Sequence, residues 1–256
     1  MEMIAIGLLG FFVLGYLLLA GSDIGVGMTL PVLGRADAER RVVIAAIAPF
    51  FLGNEVWLVA VVGLLAGMFP DLEGDLLSGL GPAVVVLLLG WIARDMGLWS
   101  RGRVDRRSWR VFWDGAIVAG SWTLALTWGW ILAGVLAGDV AGPTPVRAVF
   151  AVVIAAVFAV HGLAFAALRL RGPARERART LSGPSGEGAT FGLTSAALAV
   201  LGVLAGLRLP LADTVADAGT LAFLVPAVLI ILPFLVGAQA WVWWIFRHRV
   251  EGPSYL

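Results

Sequence analysis

Seven long apolar runs, separated by short polar segments, follow one another along the chain. A helix of about 20 residues crosses the hydrocarbon core of a membrane, which is about 30 Å thick. The runs that approach or exceed this length predict membrane helices over residues 3–33, 42–69, 76–99, 111–136, 146–170, 191–207 and 218–246. The pattern therefore predicts an all-α, polytopic transmembrane helix bundle of about seven spans.

Prolines and polar segments interrupt this pattern. Pro49 lies in the first half of the second predicted helix, and Pro226 and Pro233 lie in the last one, so we expect kinks there. The acidic segment 70–75 is predicted to be a loop. Segment 171–189 is the longest polar stretch, and its Gly, Ser and Pro residues are typical of a mobile connection.

The composition agrees with a membrane protein and excludes an ordinary soluble domain. Of the 256 residues, 60% are hydrophobic and only 14% are charged, with a mean hydropathy of +0.95. We predict one transmembrane domain over residues 1–256, made of a four-helix half (1–136) and a second half (146–256). The absence of cysteine from the sequence excludes disulfides and cysteine-ligated metals.

Arginine is distributed unevenly between the connections. The first, third and fifth connections and the C-terminal segment are basic, whereas the even-numbered ones hold only Arg147 and Arg208 and are otherwise acidic. Basic residues concentrate on the cytoplasmic side of membrane proteins. We therefore expect the N-terminus outside the cell and the C-terminus in the cytoplasm.

A polar island, Gly53-Asn54-Glu55-Val56-Trp57, lies in the middle of the second run. A charge at the centre of a membrane helix costs about 2.5 to 3.5 kcal/mol on insertion scales, so such a residue must face protein or water and have a partner. Two interpretations stay open for Glu55. It is either part of a proton path or ligand contact, or a carboxylate that hydrogen-bonds neighbouring helices.

Asp23 is the corresponding acid of the first run. It precedes Arg35 by twelve residues and lies about 18 Å deep, while Glu55 follows Arg41 by fourteen residues and lies about 21 Å deep. Two carboxylates at similar depth in an antiparallel helix pair would repel each other if they were close, and one would hold a proton. That arrangement predicts a proton relay, and the alternative is that the two acids face different neighbours.

Arg94 and Asp114 are the candidates for a structural ion pair. Arg94 precedes Arg101 by seven residues and Asp114 follows Arg110 by four, so both lie in the same third of adjacent antiparallel helices. A buried arginine needs a carboxylate partner. We expect the two to pair, with Asp95 sharing the guanidinium.

His161 and His248 are the two imidazoles of the sequence and the first residues to consider as haem ligands. His248 is flanked by arginines at a membrane surface, and His161 lies on an apolar helix where a hydrogen-bonded role is more common. We therefore predict that no metal or haem binds directly to this chain.

A series of motifs occurs in order between residues 15 and 125, with a further match at the end of the chain. They are 21–28 (GSDIGVGM), 39–41 (ERR), 47–49 (IAP), 53–57 (GNEVW), 69–70 (FP), 78–79 (SG), Arg94 with Gly97, 109–110 (WR), 113–114 (WD), 240–242 (AWV) and 249–250 (RV). In these motifs the chain resembles subunit II of cytochrome bd-type quinol oxidases. The match is thin over residues 126–217.

The resemblance implies a multi-pass protein of the bacterial cell membrane. Subunit I of such oxidases carries the b and d haems and the quinol-oxidising loop. Subunit II is its haem-free partner in a heterodimer, has no catalytic residue, sometimes holds a quinone and contributes to proton supply. On this chain the implied polar residues are Asp23, Asn54 and Glu55, and the family motif includes Gly53, Trp57 and Trp113. No nucleic-acid partner is expected.

The chain departs from the family pattern in several places. Family members have about nine helices and this sequence predicts seven, so a helical hairpin is missing before the last span. Many members have an acid where Leu52 stands, an Asp where Ala20 stands and a Pro where Asp95 stands. A proton supply through this chain would therefore use Asp23 or Glu55.

Two other functions remain open at this point. One is a transporter with Asp23, Glu55 and Arg94 along a substrate route, although no inverted repeat is recognisable in the sequence. The other is an assembly subunit without any role in proton transfer. The presence of haem in the purified complex distinguishes the oxidase from the transporter.

Overall fold

The computed structural model describes residues 1–138, 142 and 144–253, and these residues form α-helices without any strand. The helices are α1 (Glu2–Leu33), α2 (Asp37–Ile47), α3 (Phe51–Met68), α4 (Pro70–Ser100), α5 (Arg107–Ala137), α6 (Pro145–Arg169), α7 (Gly172–Ser182), α8 (Glu187–Gly206) and α9 (Ala218–Ile245). The prediction of an all-α fold is confirmed. Asp139 and Pro143, in the predicted fourth connection, lie outside the described residues.

Seven of these helices are long and apolar enough to cross a membrane: α1, α3, α4, α5, α6, α8 and α9. The predicted number of spans is therefore confirmed. The two short helices α2 and α7 each join consecutive spans, and they have only 11 residues each. Since α2 joins the first and second spans and α7 joins the fifth and sixth, both belong to the same side of the bundle.

The second predicted helix is in fact two helices. α2 ends at Ile47 and α3 begins at Phe51, with a turn at Ala48, Pro49 and Phe50 between them. Proline has no backbone N–H and its ring clashes with the preceding turn, so it can end a helix instead of only bending it. In α9, by contrast, Pro226 and Pro233 lie within one continuous helix.

The predicted loop at 70–75 is wrong. α4 begins at Pro70, and Phe69 alone separates it from α3. Proline is favoured in the first turn of a helix, where its missing N–H is not needed, and Asp71 and Glu73 add favourable negative charge at this end. The same residues that indicated a polar connection are therefore the start of a helix.

The segment predicted to be mobile, 171–189, contains helix α7. Its buried residues Ala174, Ala178 and Ser182 repeat every four positions and form one small, packed face. Arg177 donates to the carbonyl oxygen of Leu33 and to Glu39 Oε2, the latter over 2.7 Å. This hydrogen bond lowers the pKa of the Glu39 carboxyl and ties α7 to the N-terminal part of α2.

Helix α1 lies at the centre of the bundle and contacts α3, α5, α6 and α8. Its glycines permit close helix crossings. A Cβ atom built on Gly25 would lie 2.0 Å from the carbonyl oxygen of Phe158, and one on Gly162 would lie 2.2 Å from the Gly25 carbonyl carbon. The backbones of α1 and α6 are therefore in direct contact.

The outer helices α4, α8 and α9 are largely exposed. Only Leu221 and Val225 of α9 are buried, and large side chains such as Phe223 and Phe234 are each 75% exposed. Since these faces are apolar over membrane-spanning lengths, they belong against lipid or another membrane protein.

Candidate functional site

The guanidinium of Arg94 is the centre of the polar site. The side chain is 1% exposed and lies in the middle of the bundle. Its Nη2 donates to Asp23 Oδ1 over 2.5 Å, and its Nη1 donates to Glu55 Oε1 over 3.0 Å and to Asp95 Oδ1 over 3.1 Å. Three carboxylates from α1, α3 and α4 therefore converge on one cation, and we call these four residues the Arg94 cluster.

Close packing of α4 against α5 places Arg94 in the interior. A Cβ atom on Gly120 of α5 would lie 2.7 Å from the Arg94 backbone nitrogen, and one on Gly90 of α4 would lie 2.8 Å from Thr123. Small residues at both helices let the backbones approach. The arginine side chain consequently extends past this crossing towards α1 and α3.

Asn54 connects the cluster to the last helix. Its Nδ2 donates to Asp23 Oδ2 over 2.8 Å and to the carbonyl oxygen of Leu19 over 3.1 Å. Its Oδ1 accepts a hydrogen bond of 2.9 Å from Gln239 of α9. Sequence reasoning missed Gln239, although a lone amide in an otherwise apolar helix is a signal for a buried partner.

Trp57 and Gly53 position α3 against its neighbours. The Trp57 ring packs on Phe11 and Phe12, with centroid distances of 5.2 and 5.6 Å, and covers Gly15 of α1. Its Nε1 donates to Gln239 Oε1 over 3.4 Å. A Cβ atom on Gly53 would lie 3.3 Å from the same Gln239 oxygen, so both motif residues border α9 in the helix that carries Asn54 and Glu55.

The charge of the Arg94 cluster is unbalanced. Three carboxylates meet one guanidinium, and no other cation forms an ion pair with them among the described residues. Buried charge without a partner is costly, and acids that share a site cannot all ionise freely. The arrangement is therefore suited to holding a proton.

The comparisons with known proteins agree with the motifs. The family model for cytochrome bd terminal oxidase subunit II matches residues 1–212. The chain belongs to this family.

Curated relatives are named as subunit 2 of cytochrome oxidases. The cytochrome bd-I ubiquinol oxidase subunit 2 of Escherichia coli K12 is 35% identical over 131 residues, which are 51% of this chain and 35% of that protein. The probable cytochrome oxidase subunit 2 of Haemophilus influenzae is 34% identical over 125 residues, or 49% of this chain and 33% of that protein. These matches span about a third of each relative's length.

A third relative aligns over most of both chains. The cytochrome bd ubiquinol oxidase subunit 2 of Bacillus subtilis is 27% identical over 314 aligned positions that cover 93% of each protein. This alignment is longer than the 256 residues of the present chain. The Bacillus protein therefore has segments within the matched region that this subunit II chain lacks.

The predicted ion pair between Arg94 and Asp114 of this subunit II chain is wrong. Asp114 instead accepts from Arg101 Nε over 2.5 Å and from Arg40 Nη1 over 2.9 Å. Arg94 lies two helical turns deeper than Arg101, and it faces α1 and α3, whereas Asp114 lies near the end of the helices. The expectation that Asp95 shares Arg94 is confirmed.

The second polar network lies at the arginine-rich end of the bundle. Arg101 also donates to Asp37 of α2 over 2.8 Å, so it bridges α2 and α5. Trp113, another residue of the family motif, packs against Trp109 and Phe112 with ring centroids 5.6 and 5.0 Å apart. This network joins the helix ends and does not touch the Arg94 cluster.

His161 is engaged on both sides of its ring. Nδ1 lies 2.8 Å from Thr194 Oγ1 and Nε2 lies 3.0 Å from the carbonyl oxygen of Leu18, and the ring stacks on Phe191 at 4.5 Å. A tautomer with its proton on Nε2 satisfies both contacts. The predicted hydrogen-bonded role of His161 is confirmed.

Proposed function

We propose that this chain is the haem-free subunit II of a cytochrome bd-type quinol oxidase in the bacterial cell membrane. It supports a haem-bearing subunit I, with the b and d haems, in a heterodimer that passes electrons from quinol to oxygen. The support is family membership over residues 1–212 and relatives described as subunit 2 of ubiquinol oxidases.

The observation that carries the proposal beyond family membership is the Arg94 cluster. Reduction of oxygen to water consumes protons, and ionisable residues inside a membrane usually serve ion or proton paths. Asp23 and Glu55 are the groups that would hold and pass a proton, and Asn54 orients Asp23. Arg94 keeps the acids together and stabilises their ionised forms.

Neither histidine suits haem iron. Both ring nitrogens of His161 already have hydrogen-bond partners, and its ring is fully buried against Phe191. The backbone oxygen of His248 accepts from Arg169 at the arginine-rich end of the bundle, beside Arg247 and Arg249. A haem bound to His161 would have to break the two hydrogen bonds of this ring, and a haem bound to His248 would place iron in a cationic environment. We therefore assign the haems to subunit I.

The arginines also support the proposed orientation. The network around Asp114 and the contact between Arg177 and Glu39 belong to one side of the bundle, the side of the basic connections. We place this side in the cytoplasm because positive residues are retained there.

Affinity purification of the chain from its native membrane tests the proposal. The complex should contain a second subunit, show b and d haem absorbance, and consume oxygen when quinol is added. His161→Gln and His248→Ala should keep the haem spectrum per assembled complex. A complex without haem would contradict the oxidase assignment and favour a transporter, and a haem band lost in either variant would contradict the haem-free role.

A further inference from the structure

Asp95 and Glu55 share the same donor of Arg94. Nη1 donates to Glu55 Oε1 over 3.0 Å and to Asp95 Oδ1 over 3.1 Å, so the two carboxyl groups lie side by side. They also interact directly with each other, and both contact the indole of Trp91. Two ionised carboxylates in such contact repel, whereas a carboxyl and a carboxylate form a strong hydrogen bond.

The surroundings supply too little positive charge to ionise both acids. Arg94 also binds Asp23, and within the described part of the chain the other titratable neighbour, Tyr16 of α1, carries no positive charge. The neighbour from α9, Gln239, is uncharged. Each additional buried charge without a counter-charge is costly, so the cluster is stabilised when it takes up one proton.

The three acids differ in exposure. The side chain of Asp23 is 2% exposed, that of Glu55 is 12% exposed and that of Asp95 is 20% exposed. Asp95 precedes Arg101 by six residues, which places it about 9 Å below the arginine-rich end of α4. Asp95 is thus the least buried acid of the cluster.

The site also has unused hydrogen-bonding capacity. Arg94 Nε is buried and has no hydrogen-bond partner in the described part of the chain. Its Nε–H can therefore donate to a further acceptor in addition to the three carboxylates. An oxygen acceptor at this position would lie directly beside the acids.

We propose that Glu55 and Asp95 share one proton and that Asp95 is the residue through which the cluster exchanges protons with water. A hydronium ion at the arginine-rich side gives its proton to the Asp95 carboxylate and is left as water. The O–H bond of Asp95 then breaks as an O–H bond forms on Glu55, and Asp95 returns to the carboxylate. The use of this proton in oxygen reduction rests on the proposed function, whereas the shared proton itself does not.

Infrared spectroscopy of the purified complex tests the shared proton. The native complex should show the C=O stretch of a protonated carboxyl group that shifts in D₂O. Asp95→Asn and Glu55→Gln should each remove this band, since the remaining acid then faces a neutral amide and ionises against Arg94. Asp75→Asn, at an exposed position of α4 outside the cluster, should keep it.

Oxygen consumption per haem gives a second measurement. Asp95→Asn should lower it on the order of a hundred-fold, the lower end of the range for loss of a proton-transferring group. Asp75→Asn, an exposed acid at the opposite end of α4, is the matched control and should have no effect.

The infrared band decides the proposal even if activity is lost for another reason. A band that persists in Asp95→Asn would overturn it. Where that variant does not assemble, Asp95→Glu retains a carboxyl in a changed geometry and should shift the band, and an unchanged band there would overturn the proposal as well. A complex that shows the band but has no haem would contradict the proposed function and leave the shared proton supported.

Discussion

The side-chain amide of Gln239 donates to Asn54 Oδ1 over 2.9 Å, between residues that are 185 positions apart in the chain. This bond connects α9 to α3 and, through Asn54, to Asp23. Since little else of α9 is buried apart from Leu221 and Val225, the amide pair is its main polar attachment to the bundle.

Gln239→Leu should destabilise the protein. It leaves Asn54 Oδ1 buried without its donor, and an unsatisfied buried polar group costs about 1 to 3 kcal/mol. The measurement is the midpoint of thermal unfolding of the purified complex. Phe234→Leu, at a 75% exposed position of the same helix, is the control and should have little effect. An unchanged midpoint for Gln239→Leu would mean that the amide pair contributes nothing to stability.

Substitutions of Arg101 and Asp114 should have coupled effects on the amount of assembled complex. Breaking a buried ion pair by removing one partner costs about 3 to 5 kcal/mol, because the other charge is left uncompensated. Arg101→Gln and Asp114→Asn should each reduce the amount of assembled complex, and the double variant should recover part of the loss. Quantitative immunoblotting of membranes measures this.

The same cycle with Arg94 and Asp114 is the matched control. These two residues share no contact, so the effects of Arg94→Gln and Asp114→Asn should add. Strict additivity in the Arg101–Asp114 cycle, or coupling in the Arg94–Asp114 cycle, would contradict the contacts described above.

Gly25→Ala should prevent normal packing of α1 against α6. The new methyl group would lie 2.0 Å from the carbonyl oxygen of Phe158 and 2.8 Å from the Gly162 backbone, and a backbone cannot give way as a flexible side chain does. Overpacking of this kind costs about 1 to 3 kcal/mol or more. Gly7→Ala, in the same helix with nothing within 4 Å of the new atom, should be tolerated. Equal yields of the two variants in detergent-solubilised membranes would contradict the close crossing.

The membrane helices could be predicted from the sequence because apolar length is a strong local signal. The ends of the helices were harder to predict, because a residue such as proline can bend, end or begin a helix. Pro49 was expected to bend a helix and ends one, and Pro70 was expected in a loop and begins α4. The small repeated face of α7 was hidden within a segment rich in arginine and glycine. In each case packing against the rest of the bundle decided between the alternatives.

The depth of the candidate-site residues in the membrane could be predicted from the sequence. The direction in which their side chains point from each helix could not. Depth follows from the rise of a helix, and it placed Asp23 and Glu55 at the same level, where they do share Arg94. Rotation about the helix axis depends on neighbours that the sequence does not show. For that reason Arg94 was paired with Asp114, on the adjacent helix, instead of with the acids of α1 and α3. Gln239 was missed for the same reason.

A reporter fused to the C-terminus should be active in the cytoplasm. The basic connections and the networks of Arg101 and Arg177 lie on one side of the bundle, and positive residues are retained inside. An alkaline phosphatase fusion tests for a location outside the cell. A separate fluorescent-protein fusion tests for a location in the cytoplasm. The same pair of fusions at the N-terminus should give the opposite result. Phosphatase activity at the C-terminus would reverse the topology.

Glu55→Gln should distinguish a role of Glu55 in proton transfer from a role in holding the helices together. The new side chain keeps its size and an oxygen that accepts from Arg94, and it removes one of three negative charges around a single cation. Assembly should therefore be normal. Glutamine cannot bind and release a proton at neutral pH, so oxygen consumption per assembled haem should fall on the order of a hundred-fold or more if Glu55 transfers protons.

The measurement is quinol-dependent oxygen uptake divided by haem content, at several pH values. Glu73→Gln, in the first turn of α4 and away from the cluster, is the control and should match the native complex. Normal turnover per haem in Glu55→Gln would exclude Glu55 from the proton path, even though the residue lies in the cluster. Less complex with unchanged turnover per haem would show that Glu55 acts through its contact with Arg94 to hold α3 against α4.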